Sequence, residues 1–221
     1  MNRTIEIESR YKIIGDIPKL AFSFSKKEKI VDIYLDTKDG NMYQQGVFIR
    51  NRNNSKLDFK FNLESLLDKS MLNDHGHCDE YSFSIPFTPS IKKDLKKVCT
   101  ILKLNLPYVL SFEEFIKANS LQSLVIVDKD RFEAKDSGFN LCIDIVKGVG
   151  NFIEIEKMLS VDGAGNDHQK VLNEAKQSIK SYVDSLKISV KQLETGYVEL
   201  VLKESNYDLY KKGLYLLKKN G

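Results

Sequence analysis

The sequence predicts an α+β fold built on an antiparallel sheet of about eight strands, with helices at the connections. Many short segments alternate apolar and charged residues with the period of two that is typical of a half-buried strand. A few longer segments instead place apolar residues three to four positions apart, as amphipathic helices do. A sheet of this size is large enough to curl or to close into a barrel.

Five of the strands are predicted in the first half of the chain. They cover residues 5–12, 28–37, 46–52, 56–62 and 79–87. The third and fourth are joined across Asn53-Asn54-Ser55, which is a hairpin signal. These five segments are assigned to the predicted antiparallel sheet.

Helices are predicted between and after these strands. Residues 16–25 are predicted as a short helix with Asp16 as its cap, and residues 63–78 as a helical or mobile insertion. Residues 88–104 follow Pro89 and carry apolar residues at helical spacing. This segment is therefore predicted as an amphipathic helix.

The second half of the chain is also predicted to combine strands with helices. Strands are predicted at residues 121–134, 139–146 and 151–159, followed by a long amphipathic helix over residues 166–187. The tail, residues 196–213, can be read as strand or helix, and its length and end position favour helix. Because there is no long linker and no internal repeat, residues 1–221 are predicted as a single domain.

Composition narrows the function classes. The 221 residues include 42% hydrophobic and 29% charged residues, which is typical of a soluble globular protein. No apolar run is long enough to span a bilayer, the N-terminus lacks a signal-peptide core, and the three cysteines form no disulfide or zinc pattern. The net charge of +3 argues against a general nucleic-acid surface. We therefore expect a cytoplasmic protein that binds neither membrane nor nucleic acid.

One face of the first strand carries two acids followed by two bases: Glu6, Glu8, Arg10 and Lys12. Later strands also have one charged face, formed by Arg50 and Arg52, by Asp58 and Lys60, by Lys129, Arg131 and Glu133, and by Glu154 and Glu156. For any single strand, a solvent-facing surface is the simpler interpretation, since antiparallel sheets often have one wet face. The repeated use of arginine and paired glutamate, with helices available to cover the apolar faces, favours a site. Carboxylate oxygens suit Mg²⁺ or Mn²⁺, and arginine forks suit phosphate oxygens, so the pattern indicates a metal–polyphosphate site.

These motifs resemble those of the CYTH superfamily, the triphosphate tunnel metalloenzymes. Residues 6–10, "EIESR", are similar to the family's Glu-x-Glu-x-Lys motif, with Arg10 in place of the lysine. Residues 34–52 resemble its Tyr-x-Asp-Thr segment running into an Arg-x-Arg strand, and residues 129–131 its Lys-x-Arg strand. Residues 143–156 resemble its Asp…Gly-x-Gly-x-Phe-x-Glu-x-Glu stretch. The resemblance extends from residue 5 to about residue 203, with the motifs in the family's order.

The resemblance implies an eight-stranded antiparallel β-barrel, the triphosphate tunnel, with helices packed outside. It implies one or two Mg²⁺ or Mn²⁺ ions bound by Glu6, Glu8, Glu154 and Glu156, with Asp144 as a further ligand. It implies substrate binding by Arg10, Lys12, Arg50, Arg52, Lys60, Glu80, Lys129 and Arg131. Catalysis is expected to involve Glu6, Glu8, Arg10 and Lys60.

The function implied is metal-dependent hydrolysis of a small triphosphate, such as tripolyphosphate, thiamine triphosphate or a nucleoside triphosphate. The chain length and tail resemble the thiamine triphosphatases more than the shorter class IV adenylyl cyclases. A cyclase acting on ATP is the alternative, and a non-catalytic binder of polyphosphate or nucleotide, which the Arg10 substitution would suit, is the third hypothesis.

Three other features are discounted as sites. His75, His77 and Cys78 lie close together but lack a known zinc spacing. The glycines of "VKGVG", residues 146–150, lack the lysine and hydroxyl of a P-loop and predict a turn. The lysines of residues 92–97 are interpreted as a solvated helix face.

Overall fold

Nine strands form one sheet in the computed structural model, which describes residues 3–17, 23–67, 79–161 and 168–213. They are β1 (Arg3–Ile13), β2 (Lys26–Asp36), β3 (Phe48–Arg52), β4 (Lys56–Phe61), β5 (Asp79–Ser84), β6 (Gln122–Asp136), β7 (Phe139–Val146), β8 (Gly150–Val161) and β9 (Val190–Leu193). Their order in the sheet is β5-β4-β3-β2-β6-β7-β8-β1-β9. The eight predicted strands are all present, and the pairs whose register is resolved are antiparallel.

The sheet differs from the predicted barrel in two respects. Within the described residues its edges are β5 and β9, so hydrogen bonds do not close it. The additional strand, β9, pairs with β1 over only four positions. Such a short strand carries too little alternation to be recognised from sequence.

Six α-helices are present in the described part of the chain. They are α1 (Leu63–Leu67), α2 (Lys92–Leu102), α3 (Phe112–Ala118), α4 (His168–Ser185), α5 (Tyr197–Ser205) and α6 (Tyr207–Lys212). The predictions of α2 and α4 are confirmed, and the tail is helical with a break at Asn206. None of the helices searched is both long and apolar enough to cross a bilayer.

The helix predicted at residues 16–25 needs correction at its two ends, and the insertion predicted at residues 63–78 is described only in part. Residues 16–17 and 23–25 belong to no helix, and residues 18–22 lie outside the described residues. Of the predicted insertion, only α1 is described, because residues 68–78 also lie outside. A further helix, α3, was not predicted; it begins where the Ser111 hydroxyl accepts a hydrogen bond from the Glu114 backbone N–H.

Turn chemistry fixes the predicted hairpins. Asn53 and Asn54 both have φ of 50°, a left-handed conformation that asparagine tolerates better than most residues. The Asn53 side chain also accepts a hydrogen bond of 2.7 Å from the Val31 backbone N–H. Gly148, with φ of 74°, lies in the turn between β7 and β8, where a turn and not a P-loop was predicted.

The chain packs as two compact units, and the single-domain prediction stays a prediction. The first unit comprises Met1–Ile30 and Asp128–Gly196, and the second comprises Val31–Val127 and Tyr197–Gly221. Each has an apolar core between strands and helices. In the first unit α4 contributes Ala175, Ile179 and Val183, and in the second α2 and α3 contribute Leu95, Val98 and Phe115. The helices thus cover the apolar faces of the strands, as expected.

Candidate active site

The charged face of the first unit is organised by the pairing of β1 with β8. Glu8 lies opposite Glu156, and Arg10 lies opposite Glu154. Because residues two apart on a strand share a face, all four side chains belong to the same side of the sheet. The register therefore brings the acid–base pattern of the first strand next to the paired glutamates of β8.

Arg10 bridges two of these acids. Its Nε donates to Glu154 Oε1 at 2.5 Å, and its Nη2 donates to Glu8 Oε1 at 2.6 Å. A third bond runs from Nη1 to the backbone oxygen of Thr195 at 3.3 Å. The guanidinium fork, which presents donors in several directions, makes this double contact possible.

Asp144 on β7 anchors the bases of β6. It accepts 2.7 Å hydrogen bonds from Lys129 Nζ and from Arg131 Nε, and a 2.6 Å bond from Arg131 Nη2. Arg131 Nη2 also donates to Glu154 Oε2. One continuous set of ion pairs results, and we call it the Glu154 network: Glu8, Arg10, Lys129, Arg131, Asp144 and Glu154.

Burial and charge act in opposite directions on this network. Burial raises the pKa of Glu154, but Arg10 and Arg131 outweigh it and hold that pKa well below its ordinary value. Burial lowers the pKa of Lys129, although Glu154 and Asp144 oppose the shift. Glu154 is therefore a carboxylate at any physiological pH.

The second unit holds its own group of ion pairs on β2 to β5. Arg52 makes a bidentate contact with Asp32, with bonds of 2.7 and 2.8 Å. Arg50 donates to Asp58 Oδ2 from Nε at 2.9 Å and from Nη2 at 2.6 Å. Both aspartates are buried, so each arginine is held in place by a fixed anion.

Lys60 and Glu80 complete the group at its more exposed side. Lys60 Nζ lies 3.0 Å from Glu80 Oε2, and Arg50 Nη2 lies 3.5 Å from Glu80 Oε1. Burial alone would lower the pKa of Lys60, but Glu80 raises it above its ordinary value, so the lysine stays cationic. We call this set the Arg50–Arg52 group: Asp32, Arg50, Arg52, Asp58, Lys60 and Glu80.

Comparison with known proteins decides the family. The sequence model of the CYTH domain matches residues 4–187. The chain belongs to the CYTH family. No curated protein is similar enough in sequence to count as a match.

Solved structures share the CYTH fold at low sequence identity. The PH1819 protein of Pyrococcus horikoshii OT3 superposes with a TM-score of 0.55 and 18% identity, over 90% of this chain and 99% of its own. A candidate adenylate cyclase of Vibrio parahaemolyticus gives 0.51 and 14%, over 89% and 97%. HpAC1 of Hippeastrum, a candidate adenylyl cyclase described with a dominant triphosphatase activity, gives 0.51 and 16%, over 92% and 96%. At these identities the likeness shows the fold alone.

The CYTH fold implies a divalent cation, and the donor chemistry of β1 and β8 fits one. Glu8 and Glu156 are direct cross-strand partners on one face, an arrangement of like charges that is unfavourable unless a cation lies nearby. Arg10 supplies such a cation to Glu8, and carboxylate oxygens are also the ligands that Mg²⁺ and Mn²⁺ prefer. Within the described residues, no three His, Cys, Asp or Glu side chains are arranged to hold an ion.

The structure places the predicted CYTH site residues in the two groups, with three exceptions. Glu156 belongs to neither group and lies opposite Glu8, on β8. Glu6 lies on β1, but its side chain falls outside the described residues. Lys12 shares the charged face of β1, where its Nζ donates to the Val149 backbone oxygen at 3.2 Å instead of to a carboxylate. The predicted ligands Asp144 and Glu154 are bound by bases, and their roles in metal binding stay predictions.

The acids that bind the arginines of the second unit were not predicted as site residues. Asp32 and Asp58 were not proposed as site residues, and neither was Ser82, whose hydroxyl donates to Asp58. The available signal was parity, since Asp32 alternates with Ile33 and Asp58 with Phe59. Parity alone could not select a partner, because that choice depends on cross-strand register.

The sequence features that were discounted as sites add no residue to either group of ion pairs. His75, His77 and Cys78 lie outside the described residues. Lys92, Lys93, Lys96 and Lys97 are all exposed on α2, as predicted for a solvated face. Cys142 lies on the charged face of β7 opposite Glu154, but burial raises the pKa of its thiol to about 12, so it stays protonated.

Proposed function

We propose that this chain is a divalent-metal-dependent hydrolase of a small triphosphate. The observation that carries the proposal is that both units hold bases in fixed positions on a charged sheet face, each through a buried carboxylate. A surface of solvated charges would have mobile lysines, whereas here Arg52 and Arg131 are both fixed by bidentate contacts. Fixed arginine forks match the geometry of phosphate oxygens.

The chain's own residues would supply binding and charge neutralisation. Arg50, Arg52 and Lys60 would bind phosphate oxygens in the second unit. Lys129 and Arg131 would do so in the first, with the ion pairs to their carboxylates loosening as phosphate takes over the donors. Phosphoryl transfer depends mainly on positioning and on neutralising the charge of the equatorial oxygens, so no covalent nucleophile is required.

A divalent cation, held by Glu8 and Glu156 with Glu6 and Glu154, would supply further neutralisation of the phosphate charge when bound. Glu8 is the most accessible acid of the Glu154 network, with 33% of its side chain exposed. It is therefore our candidate for orienting the attacking water and accepting its proton. The water oxygen then forms a bond to the terminal phosphorus as its proton passes to Glu8, the bridging P–O bond breaks, and orthophosphate and the remaining diphosphate are released.

The alternative is cyclisation of ATP, since two of the similar structures are described as candidate adenylyl cyclases. A cyclase would use the same bases, but the ribose 3′-hydroxyl would attack the α-phosphate and pyrophosphate would leave. A non-catalytic binder ranks third, because it would have no need of the opposed Glu8 and Glu156. We infer a cytoplasmic location from composition alone.

Product analysis tests the proposal. The protein is incubated with Mg²⁺ or Mn²⁺ and, separately, with tripolyphosphate, thiamine triphosphate, ATP and 3′-deoxy-ATP. We expect orthophosphate from tripolyphosphate, and hydrolysis of 3′-deoxy-ATP whenever ATP is hydrolysed. Cyclic AMP with equal pyrophosphate, and no orthophosphate from tripolyphosphate, would identify a cyclase. The absence of any product would leave the binder.

A further inference from the structure

Arg10 occupies two of the carboxylates that a divalent cation would need. Its contacts of 2.5 Å with Glu154 and 2.6 Å with Glu8 are both charge-assisted hydrogen bonds, the stronger kind. The Thr195 carbonyl accepts a third bond and so orients the guanidinium between the two acids. A lysine, which offers a single point charge, could not contact both acids with the same geometry.

A cation and this guanidinium compete for the same oxygen atoms. Glu154 is 3% exposed and its other oxygen accepts from Arg131, so few lone pairs remain for a metal while Arg10 is in place. Glu8 and Glu156 lie opposite each other, and neutralising Glu8 through Arg10 removes part of the negative field that would attract an ion. A cation that uses Glu8 Oε1 or Glu154 Oε1 therefore has to displace Arg10 from that acid.

We propose that Arg10 is a built-in competitor of the divalent cation, which weakens cation binding until an oxyanion takes over the guanidinium. This role rests on the proposed triphosphatase function. By linkage, an oxyanion that binds Arg10 raises the affinity for the cation, and the cation raises the affinity for the oxyanion to the same degree. The protein then binds little metal on its own and assembles its metal site together with its substrate.

Lys12 provides a matched control. It lies on the same face of the same strand two residues further on, and it carries the same charge. Its Nζ contacts a backbone oxygen, so its removal changes the local charge by one unit without releasing Glu8 or Glu154. Any effect of Arg10 beyond simple electrostatics must therefore exceed the effect of Lys12.

The test measures Mn²⁺ affinity without substrate, from the electron paramagnetic resonance signal of free Mn²⁺. Wild type is compared with Arg10→Gln, Arg10→Lys and Lys12→Gln. We expect Arg10→Gln to bind Mn²⁺ about tenfold more tightly, as expected for the loss of one charge-assisted competitor, Arg10→Lys to be intermediate, and Lys12→Gln to stay within about twofold of wild type. Thermal unfolding verifies that each variant is folded, and Arg10→Lys retains the charge if Arg10→Gln fails to fold.

A second arm adds sulfate at constant ionic strength, since sulfate is an oxyanion that chelates Mn²⁺ weakly. Sulfate should tighten Mn²⁺ binding by wild type and have a smaller effect on Arg10→Gln. Equal Mn²⁺ affinities for wild type and Arg10→Gln, or equal gains for Arg10→Gln and Lys12→Gln, would overturn the competitor role while leaving triphosphate hydrolysis intact. An absence of Mn²⁺ binding by Arg10→Gln would also overturn the competitor role, whereas the metal-dependent function is tested separately by the products formed with and without Mn²⁺.

Discussion

In the Glu154 network each buried carboxylate serves two bases, whereas in the Arg50–Arg52 group each carboxylate has one close base. Glu154 accepts from Arg10 and Arg131, and Asp144 accepts from Lys129 and Arg131. In the second unit the contacts beyond the close pairs lengthen to 3.5 and 3.8 Å, both from Arg50.

The two groups also differ in their exposure to solvent. The side chains of Lys129 and Asp144 are 2% and 0% exposed, while those of Lys60 and Glu80 are 36% and 45% exposed. Electrostatic interactions are stronger where water is excluded. The comparison indicates that the Glu154 network is the more tightly coupled of the two, and that the Arg50–Arg52 group is more loosely connected and exposes Lys60 to solvent.

The largest expected effect is that of Glu154→Gln on stability. The substitution leaves Arg10 and Arg131 without a shared anion, and breaking a buried ion pair costs about 3 kcal/mol or more in the free energy of unfolding. Because the pKa of Glu154 is depressed in the folded state, this contribution is full above about pH 5 and is lost as the pH falls below the ordinary glutamate value of 4.5.

Urea unfolding of wild type and Glu154→Gln at about pH 7 and about pH 3 measures this difference. The difference in the free energy of unfolding between wild type and Glu154→Gln should be large at the higher pH and small at the lower pH. If this difference does not depend on pH, Glu154 stabilises the fold by packing, and the claim that its charge couples the network is wrong.

The next largest effect is that of Glu8→Gln on turnover. If Glu8 orients and deprotonates the attacking water, its loss should lower kcat about 100-fold, in the range of general base catalysis. Stability should hardly change, because Glu8 is partly exposed. The exposed Glu113 on α3 is the matched control, and Glu113→Gln should leave kcat at the wild-type value. Equal kcat values for wild type and Glu8→Gln would remove Glu8 from the catalytic role.

Arg52→Ala should raise KM for tripolyphosphate about tenfold, as expected for one lost charged contact. It should also reduce the rise in melting temperature that tripolyphosphate produces by mass action. Lys96→Ala, which removes an exposed lysine of α2, provides the comparison. Similar losses in both variants would mean that diffuse surface charge holds the ligand.

The smallest effect is expected for Asp58→Asn, about threefold in KM, because Arg50 keeps its charge but loses its fixed anion. We expect Asp58 to act only by holding Arg50 in position. Asp58→Asn should therefore have no further effect on KM when it is added to Arg50→Ala. Additive effects would show that Asp58 contributes independently of Arg50.

The parts of the molecule that could be predicted from sequence are those set by local periodicity. Alternation located eight strands and put Glu8, Arg10, Glu154 and Glu156 on charged faces, since side-chain direction depends only on parity. The family motifs then identified which strand carries each of these charged faces. β9 and α3 could not be located this way, because four and seven residues hold too little pattern.

The pairing of bases with acids could not be predicted. Asp32, Asp58 and Asp144 acquire their partners from cross-strand register, which places Arg52 opposite Asp32 and Arg131 opposite Asp144. Register depends on turns and on packing between distant segments. The same limit hid the contact of Arg10 with both Glu8 and Glu154, which the sequence shows only as a substituted motif residue.

The most direct test of the claim that both charged groups act in triphosphate hydrolysis is the rate of orthophosphate release from tripolyphosphate. The rate is measured with Mn²⁺ for wild type, Arg52→Ala, Arg131→Ala and the α2 control Lys96→Ala. We predict metal-dependent release by wild type and by Lys96→Ala, and kcat/KM at least about tenfold lower for both arginine variants. Release by either arginine variant at the wild-type rate, or no release by wild type, would contradict the account.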